Sequence, residues 1–173
     1  MNRVLIVVDM QKDFVNGSLG SDQALQIVEN VADKIRSFEG SIIVTMDTHD
    51  YDYMQTQEGE KLPVEHCVRD TEGWQLDQVI KEALAEREYK VVHKPSFAAV
   101  DLVALIAEYD TADLEIELVG LCTDICVVSN ALLLKAHFPE IPIFVDSACC
   151  AGVTHEKHQA ALMTMESCQI TVR

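Results

Sequence analysis

Apolar residues in this chain fall into short runs separated by segments with helical spacing. Val4 to Val8 is a continuous apolar run rich in Val, which predicts a strand buried on both faces. It stops at Asp9. After the Asn16-Gly17 turn, Ser21 and Asp22 are cap candidates for a helix. Ala24, Leu25, Ile27, Val28, Val31, Ala32 and Ile35 supply its apolar stripe, and Gly40 closes the segment. Ser41 to Met46 is a second apolar strand, ended by Asp47-Thr48-His49. A polar stretch then runs from Asp50 to Gly73. Loops of that length inside a compact domain usually carry function.

The same alternation continues to the end of the chain. Trp74 to Glu86 reads as a helix, Tyr89 to His93 as a third strand ended by Lys94-Pro95, and Ala99 to Glu108 as another helix. In Leu114 to Leu118, apolar positions alternate with Glu115 and Glu117, marking a fourth strand. A polar turn, Cys122 to Asp124, leads into an unbroken apolar segment from Ile125 to Leu134. That segment suits a mostly buried helix, stopped at Phe138-Pro139. Ile141 to Val145 is a fifth strand, ended by Asp146. Thr154 caps a helix to about Ser167, and Gln169 to Val172 is a sixth strand. Strands alternating with helices imply an α/β fold: three layers, α/β/α, around a mostly parallel six-stranded sheet. No repeat, linker or low-complexity segment divides residues 1–173, so one domain is expected.

Composition narrows the partners. Thirteen basic against 29 acidic residues give a formal charge of −16. This argues against nucleic acid or an anionic membrane as partner, since both select for Lys and Arg. No apolar run approaches a membrane span, and the short first strand lacks the features of a signal peptide. A cytoplasmic location is the expectation. The six cysteines, Cys67, Cys122, Cys126, Cys149, Cys150 and Cys168, are then expected as reduced thiols, most of them small buried hydrophobes.

Candidate chemistry collects at the strand ends. In an open parallel sheet, ligands bind beyond the carboxyl ends of the strands. The first strand ends on Asp9, the second on Asp47 and His49, and the third on Lys94; the fourth leads to Cys126. Taken singly, Asp9 reads as a cap or a structural ion pair and Lys94 as a snorkelling surface lysine. Taken together with Cys126 at a helix start, they form a unit for acyl transfer. The helix N-terminus and Lys94 favour the thiolate. Asp9 takes the thiol proton and later passes it to a leaving amine. The backbone N–H groups of Cys122 and Cys126 are the candidates for holding the oxyanion. Asp47, His49 and His66 form a second constellation, typical of zinc or a similar transition ion. The plain alternative is a set of polar loop residues satisfied by backbone. Glu58 and Glu60 lie in the intervening loop, as further ligands or solvated surface. Phe14, Trp74 and Phe97 are candidates to line a pocket for a flat substrate, with core packing as the alternative. His155 and His158 are expected to decorate an exposed first helical turn. Cys122 and Cys126 could instead be a redox pair, and Cys149-Cys150 is expected to pack beside a turn.

These residues resemble a known family. Asp-Met-Gln-Lys-Asp-Phe at 9–14, Asp-Thr-His at 47–49, His66-Cys67-Val68, Lys94 with Phe97, and Gly-Leu-Cys-Thr-Asp-Ile-Cys-Val at 120–127 are similar to the motifs of the isochorismatase-like cysteine hydrolases, nearest to the nicotinamidases. The resemblance spans nearly the whole chain. It implies an Asp9-Lys94-Cys126 triad and a cis peptide before Cys122. It also implies a divalent metal on Asp47, His49 and His66 that holds the pyridine nitrogen of nicotinamide. The metal would be zinc first, with manganese or iron as alternatives. Some members add a loop Glu, and Glu58 is the closer match. The implied reaction converts nicotinamide to nicotinate and ammonia through a thioester. Another small amide or carbamoyl compound is the rival substrate, and a non-catalytic metal- or ligand-binding relative the rival class. By analogy the fold forms homo-oligomers. The chain departs from the family pattern at Tyr53, where many nicotinamidases carry a further His, and at Cys122, where a small residue is usual. It departs again at Asp70 in place of Gly, and at Ala98-Ala99-Val100 in place of Ser-Ala-Phe. These positions bear on the substrate more than on the chemistry.

Overall fold

The structure is a computed structural model that describes residues 2–173. Its centre is a six-stranded sheet in which every pairing is parallel. The strands are β1 (Asn2–Val8), β2 (Ser41–Asp47), β3 (Tyr89–Lys94), β4 (Leu114–Leu121), β5 (Ile143–Ala151) and β6 (Thr171–Val172), in the order β3-β2-β1-β4-β5-β6. The helices are α1 (Lys12–Val15), α2 (Asp22–Ser37), α3 (Gln57–Lys61), α4 (Gln78–Leu84), α5 (Asp101–Ile106), α6 (Val128–His137) and α7 (His155–Ser167).

The two sides of β1 show why the layers form. Leu5 and Val7 face the core of α2 and α4, with Ile42, Val44 and Val119 beside them. Val4, Ile6 and Val8 face the opposite core with α5, α6 and α7. A strand buried on both faces must be apolar at every position, as β1 is. α2 presents Ala24, Ile27, Val28, Val31, Ala32 and Ile35 as one buried stripe. Each large side chain buried there contributes roughly 1.5–3 kcal/mol. Its start is fixed by the Ser21 hydroxyl, which accepts from the Ala24 N–H at 3.1 Å. Such a cap contributes about 1 kcal/mol.

Several elements differ from the sequence reading. β5 does not end at Asp146 but runs on to Ala151, after a register irregularity against β4. Asp146, which the sequence marks as the strand's end, sits in that break with Ser147. Asp146 pairs with Lys34 at 2.7 Å, and Ser147 donates to the Arg173 carbonyl at 2.6 Å. Cys149 and Cys150 therefore pack inside a strand, not beside a turn. α4 starts at Gln78 because the Asp77 carboxylate caps Val79 N–H and Leu76 is drawn into a bridge with Gln11. Gln169 takes a left-handed φ of 65°, so β6 begins only at Thr171. The polar stretch after β2 holds a 3₁₀ turn, Tyr53–Gln55, and α3, whose Thr56 cap bonds Gly59 N–H.

The sheet order reverses beside β1. The chain moves from β1 outward through β2 to β3, then returns to place β4 on β1's other edge. A crevice opens at such a switch point, outside the carboxyl ends of the strands. Gly120 makes the close approach there possible. Its φ is +120°, and a Cβ on it would lie 2.1 Å from the Val8 carbonyl oxygen. Among the described residues, no helix is long and apolar enough to cross a membrane.

Candidate active site

Asp9, Lys94 and Cys126 meet at this crevice, all deeply buried. Asp9 has a left-handed φ of 48°, which bends the chain off the end of β1. The Lys94 ammonium lies 2.7 Å from Asp9 Oδ2 and 3.4 Å from Cys126 Sγ. It also donates to the Ser96 carbonyl at 3.0 Å and to Asp47 Oδ1 at 3.3 Å. Thr45 donates its hydroxyl to the other Asp9 oxygen at 2.7 Å. Burial opposes the charge on Lys94, but Asp9, Cys126 and Asp47 outweigh it and hold its pKa above the ordinary value.

The surroundings of Cys126 correct one expectation. Cys126 is not in the first turn of a regular helix. It lies in a π-helical turn, Thr123–Val127, that precedes α6. Burial first, then the Asp9 carboxylate, pushes its thiol pKa well above the usual value despite Lys94. Position alone therefore does not make it a thiolate. Burial raises the Asp9 pKa too, against the pull of Lys94. The Lys94 ammonium joins the two groups, 2.7 Å from the carboxylate and 3.4 Å from the sulfur.

The second constellation also assembles. Asp47, His49, Glu58 and His66 each present one donor atom, all within 4.8 Å of one another. His49 Nε2 is 3.1 Å from Asp47 Oδ2 and 3.8 Å from Glu58 Oε1; His66 Nε2 is 3.6 Å from each. Bonds of about 2.05 Å in a tetrahedron put ligand atoms about 3.3 Å apart, so these four fit a zinc-sized ion. His66 Nδ1 contacts the Val64 carbonyl at 2.9 Å, an outer contact that aims Nε2 into the cluster. Burial opposes ionisation of Asp47, but His49, His66 and Lys94 hold its carboxyl below the usual carboxylate range.

Between the two groups lies a cavity of about 60 Å³. That is far smaller than the roughly 300–1,000 Å³ of sites for drug-sized ligands. Asp47, Glu58, His66, Cys122 and Cys126 line it together with the apolar Phe14, Leu19, Leu62, Phe97 and Ile125. Phe14 and Phe97 thus line this cavity. Trp74 does not. It stacks on His93 with ring centroids 5.4 Å apart and donates its Nε1–H to the Thr48 hydroxyl at 2.9 Å. A larger open groove between β3 and α5 holds none of these groups.

A family model described as the isochorismatase domain matches residues 3–173. The chain belongs to the isochorismatase domain family. A nicotinamidase/pyrazinamidase of Bacillus subtilis shares the fold with a TM-score of 0.86 and 26% identity over 99% of both chains. The nicotinamidase of Saccharomyces cerevisiae is 26% identical over 175 residues, covering 75% of this chain and 80% of that protein. A pyrazinamidase of Pyrococcus horikoshii, solved in complex with zinc, has a TM-score of 0.83 at 24% identity over 100% of this chain and 99% of that one.

This isochorismatase-family chain also uses residues that sequence reasoning passed over. Gln11, fully buried, donates to the Asp47 and Trp74 carbonyls and accepts from Asp47 N–H, each at 2.8 Å. Asp13 accepts the Cys67 N–H at 2.8 Å, next to His66. Segment 9–14 therefore braces the end of β2 at Asp47 and the loop beside His66. Asn130 donates to the Cys126 carbonyl and accepts from Ala99 N–H, both at 2.8 Å. A lone amide inside the apolar α6 run was a visible signal, because a buried amide needs partners. Tyr53 packs edge-on against both imidazoles, 4.8 Å from His49 and 5.0 Å from His66. Burial, with Glu58 and Asp47 nearby, pushes its pKa up to about 12, and its hydroxyl donates to the Leu62 carbonyl. It packs against the cluster, and Glu58 is the fourth member of the group that could hold a metal. The Leu121–Cys122 peptide is cis.

Proposed function

We propose that this chain is a metal-containing cysteine amidohydrolase that deamidates nicotinamide to nicotinate and ammonia through a Cys126 thioester. The observation that carries the reading is the position of Lys94, 2.7 Å from Asp9, 3.4 Å from Cys126 and 3.3 Å from Asp47. One ammonium joins a proton-transfer pair to a metal-type cluster beside a small, mostly apolar cavity. The nicotinamidase relatives support the substrate class.

In this reading the Cys126 thiol gives its proton to Asp9, and the sulfur attacks the amide carbonyl. Lys94 stabilises the sulfur as it gains charge. Backbone N–H groups of Cys122 and Cys126 receive the oxyanion. Asp9 returns the proton to the departing nitrogen, so ammonia leaves and a thioester remains. Asp9 then takes a proton from water, which attacks the thioester and frees nicotinate and the thiol. Asp47, His49, His66 and Glu58 would hold the divalent metal, zinc by the fit of their spacing. A bound ion there supplies a Lewis-acid anchor for the ring nitrogen of the substrate. Phe14 and Phe97 flank the ring. A cytoplasmic homo-oligomer belongs to the same reading, and the unpaired cysteines fit a reducing compartment.

The test is ammonia release over a panel of small amides and carbamoyl compounds, with and without a chelator. Turnover of nicotinamide that fails after chelation and returns with zinc is expected. Preference for an aliphatic amide would replace the substrate, and no turnover of any member would remove the reaction. His49→Ala is expected to lower metal affinity by more than the roughly 10- to 100-fold typical of losing an outer-shell partner, read by elemental analysis and competition with a chromogenic chelator. Metal content equal to wild type would exclude His49 from the site. Cys122 is held as a thiol, its pKa pushed up to about 12 by burial. Cys122→Ala is therefore expected to keep most activity under reducing conditions, since only its backbone is used. A large loss there would favour the Cys122–Cys126 redox alternative.

A further inference from the structure

His158 does not decorate an exposed turn as its His-x-x-His spacing suggested. His155 is exposed, but His158 is half-buried, with Nδ1 2.8 Å from the hydroxyl of Thr123. Thr123 is itself fully buried and opens the π-helical turn that carries Cys126. Two further contacts join the same places. Asp124, the next residue of the turn, accepts the Val153 N–H at 2.9 Å. Gly152 lies so close that a Cβ on it would sit 2.8 Å from Asp124 Oδ1 and 2.9 Å from the backbone nitrogen and Cβ of His158.

We propose that His158 is a positioning residue, latching the Thr123–Val127 turn to the start of α7 so that Cys122 N–H and Cys126 keep their places for the reaction. The physical case rests on the turn's own weakness. π-helical turns are rare, less well bonded than α-helix, and concentrate at functional sites. Within this one, Ile125 and Val127 N–H groups both converge on the Cys122 carbonyl at 3.1 Å. The bonds within the turn leave its outer side to be held from elsewhere. On one flank Asn130 holds the Cys126 carbonyl from α6. On the other, His158 holds it from α7 and the Asp124–Val153 pair from the connection before α7. Burial, then His155, lowers the His158 pKa against the pull of Asp124, which keeps the imidazole neutral near pH 7. A neutral ring can serve either as acceptor or as donor to the Thr123 hydroxyl.

The kinetic part rests on the amidase reading above; the exchange part does not. Amide hydrogen exchange of the 122–128 segment is measured in the full chain for wild type, His158→Ala, His158→Asn and Gly152→Ala, beside kcat, KM and metal content. One net hydrogen bond is worth about 0.5–1.5 kcal/mol, so His158→Ala is expected to speed exchange there about two- to tenfold, with β1 and α2 unchanged. kcat is expected to fall by a similar factor at constant KM and constant metal. His158→Asn, which keeps a polar atom near the Nδ1 position, should restore both. Gly152→Ala should copy His158→Ala by forcing α7 away from Asp124. Unchanged exchange in His158→Ala overturns the latch. Faster exchange with unchanged kcat overturns its role in the reaction. A wild-type protein that turns over no amide refutes the amidase reading before any variant is compared, and the exchange result still decides the latch.

Discussion

Cys126→Ala is expected to abolish ammonia release, by a factor of about 10⁴ or more, with the fold and the metal site intact. The magnitude follows from how nucleophile, base and cation act as a unit: removing one member costs nearly as much as removing all. The fold should survive because the change is small. Sγ is one buried heavy atom in the core beneath α6, and its loss costs about 1 kcal/mol. The metal donors Asp47, His49, Glu58 and His66 are untouched, so elemental analysis and circular dichroism should match wild type. Cys126→Ser is expected to be nearly as inactive, since a hydroxyl is a far weaker acid than even this buried thiol. The geometry adds a pH signature. In the proposed reaction Asp9 is the base, and burial raises its pKa above that of a free carboxylate. Asp9 must be ionised to accept the thiol proton. Activity should therefore fall with decreasing pH already above the usual carboxylate range, as a macroscopic titration of the coupled pair. Turnover by Cys126→Ala near the wild-type rate would remove Cys126 as nucleophile and the triad with it.

The architecture was legible because its cause is local. A strand buried on both faces must be apolar throughout, and β1 and β2 announce themselves by that alone. Strand ends in a parallel sheet share one edge, so Asp9, Asp47 and Lys94 could be placed together before any coordinate was known. What the pattern could not carry was set by contacts between distant segments. Asp146 looks like the end of β5, because a charged residue after an apolar run usually ends a strand. Lys34 pairs with it, the Arg173 carbonyl takes the neighbouring Ser147 hydroxyl, and the strand continues. Cys126 looked like a thiolate at a helix start, but the electrostatic balance depends on burial, which position in the sequence does not reveal. Trp74 looked like a pocket aromatic, yet its indole N–H found Thr48 and its ring found His93. Gln11 and His158 act by bonding other elements, and nothing in their own neighbourhoods in sequence says which. The family resemblance pointed to Glu58 where spacing could not, since it is one of several acidic residues in its loop and its place beside Asp47, His49 and His66 is fixed only in space.

Lys94→Met is expected to be the costliest substitution for stability, and its cost should depend on pH. Lys94 is 1% exposed, and Asp9 beside it is fully buried. Met keeps most of the volume and removes the charge. Removing one partner of a buried ion pair costs about 3–5 kcal/mol, because the remaining charge is left without compensation. Asp9 can escape only by taking up a proton. Lys94 is the main influence now lowering the Asp9 pKa against burial, so its loss must raise that pKa further. A carboxyl whose folded pKa lies above its unfolded value binds more protons when folded, so its contribution to stability falls as pH rises through that window. The deficit of Lys94→Met relative to wild type should therefore be smaller at pH 5 than at pH 8. Urea unfolding of the metal-free proteins at both pH values measures it, and keeps the metal from compensating Asp47. Asp9→Asn in the Lys94→Met background removes the stranded charge and should recover part of the loss at pH 8, although Asp9→Asn alone destabilises. That opposite sign in the two backgrounds is the signature of a coupled pair. A deficit below about 1 kcal/mol, or one equal at both pH values, would mean that Asp9 and Lys94 are not coupled as their 2.7 Å separation requires.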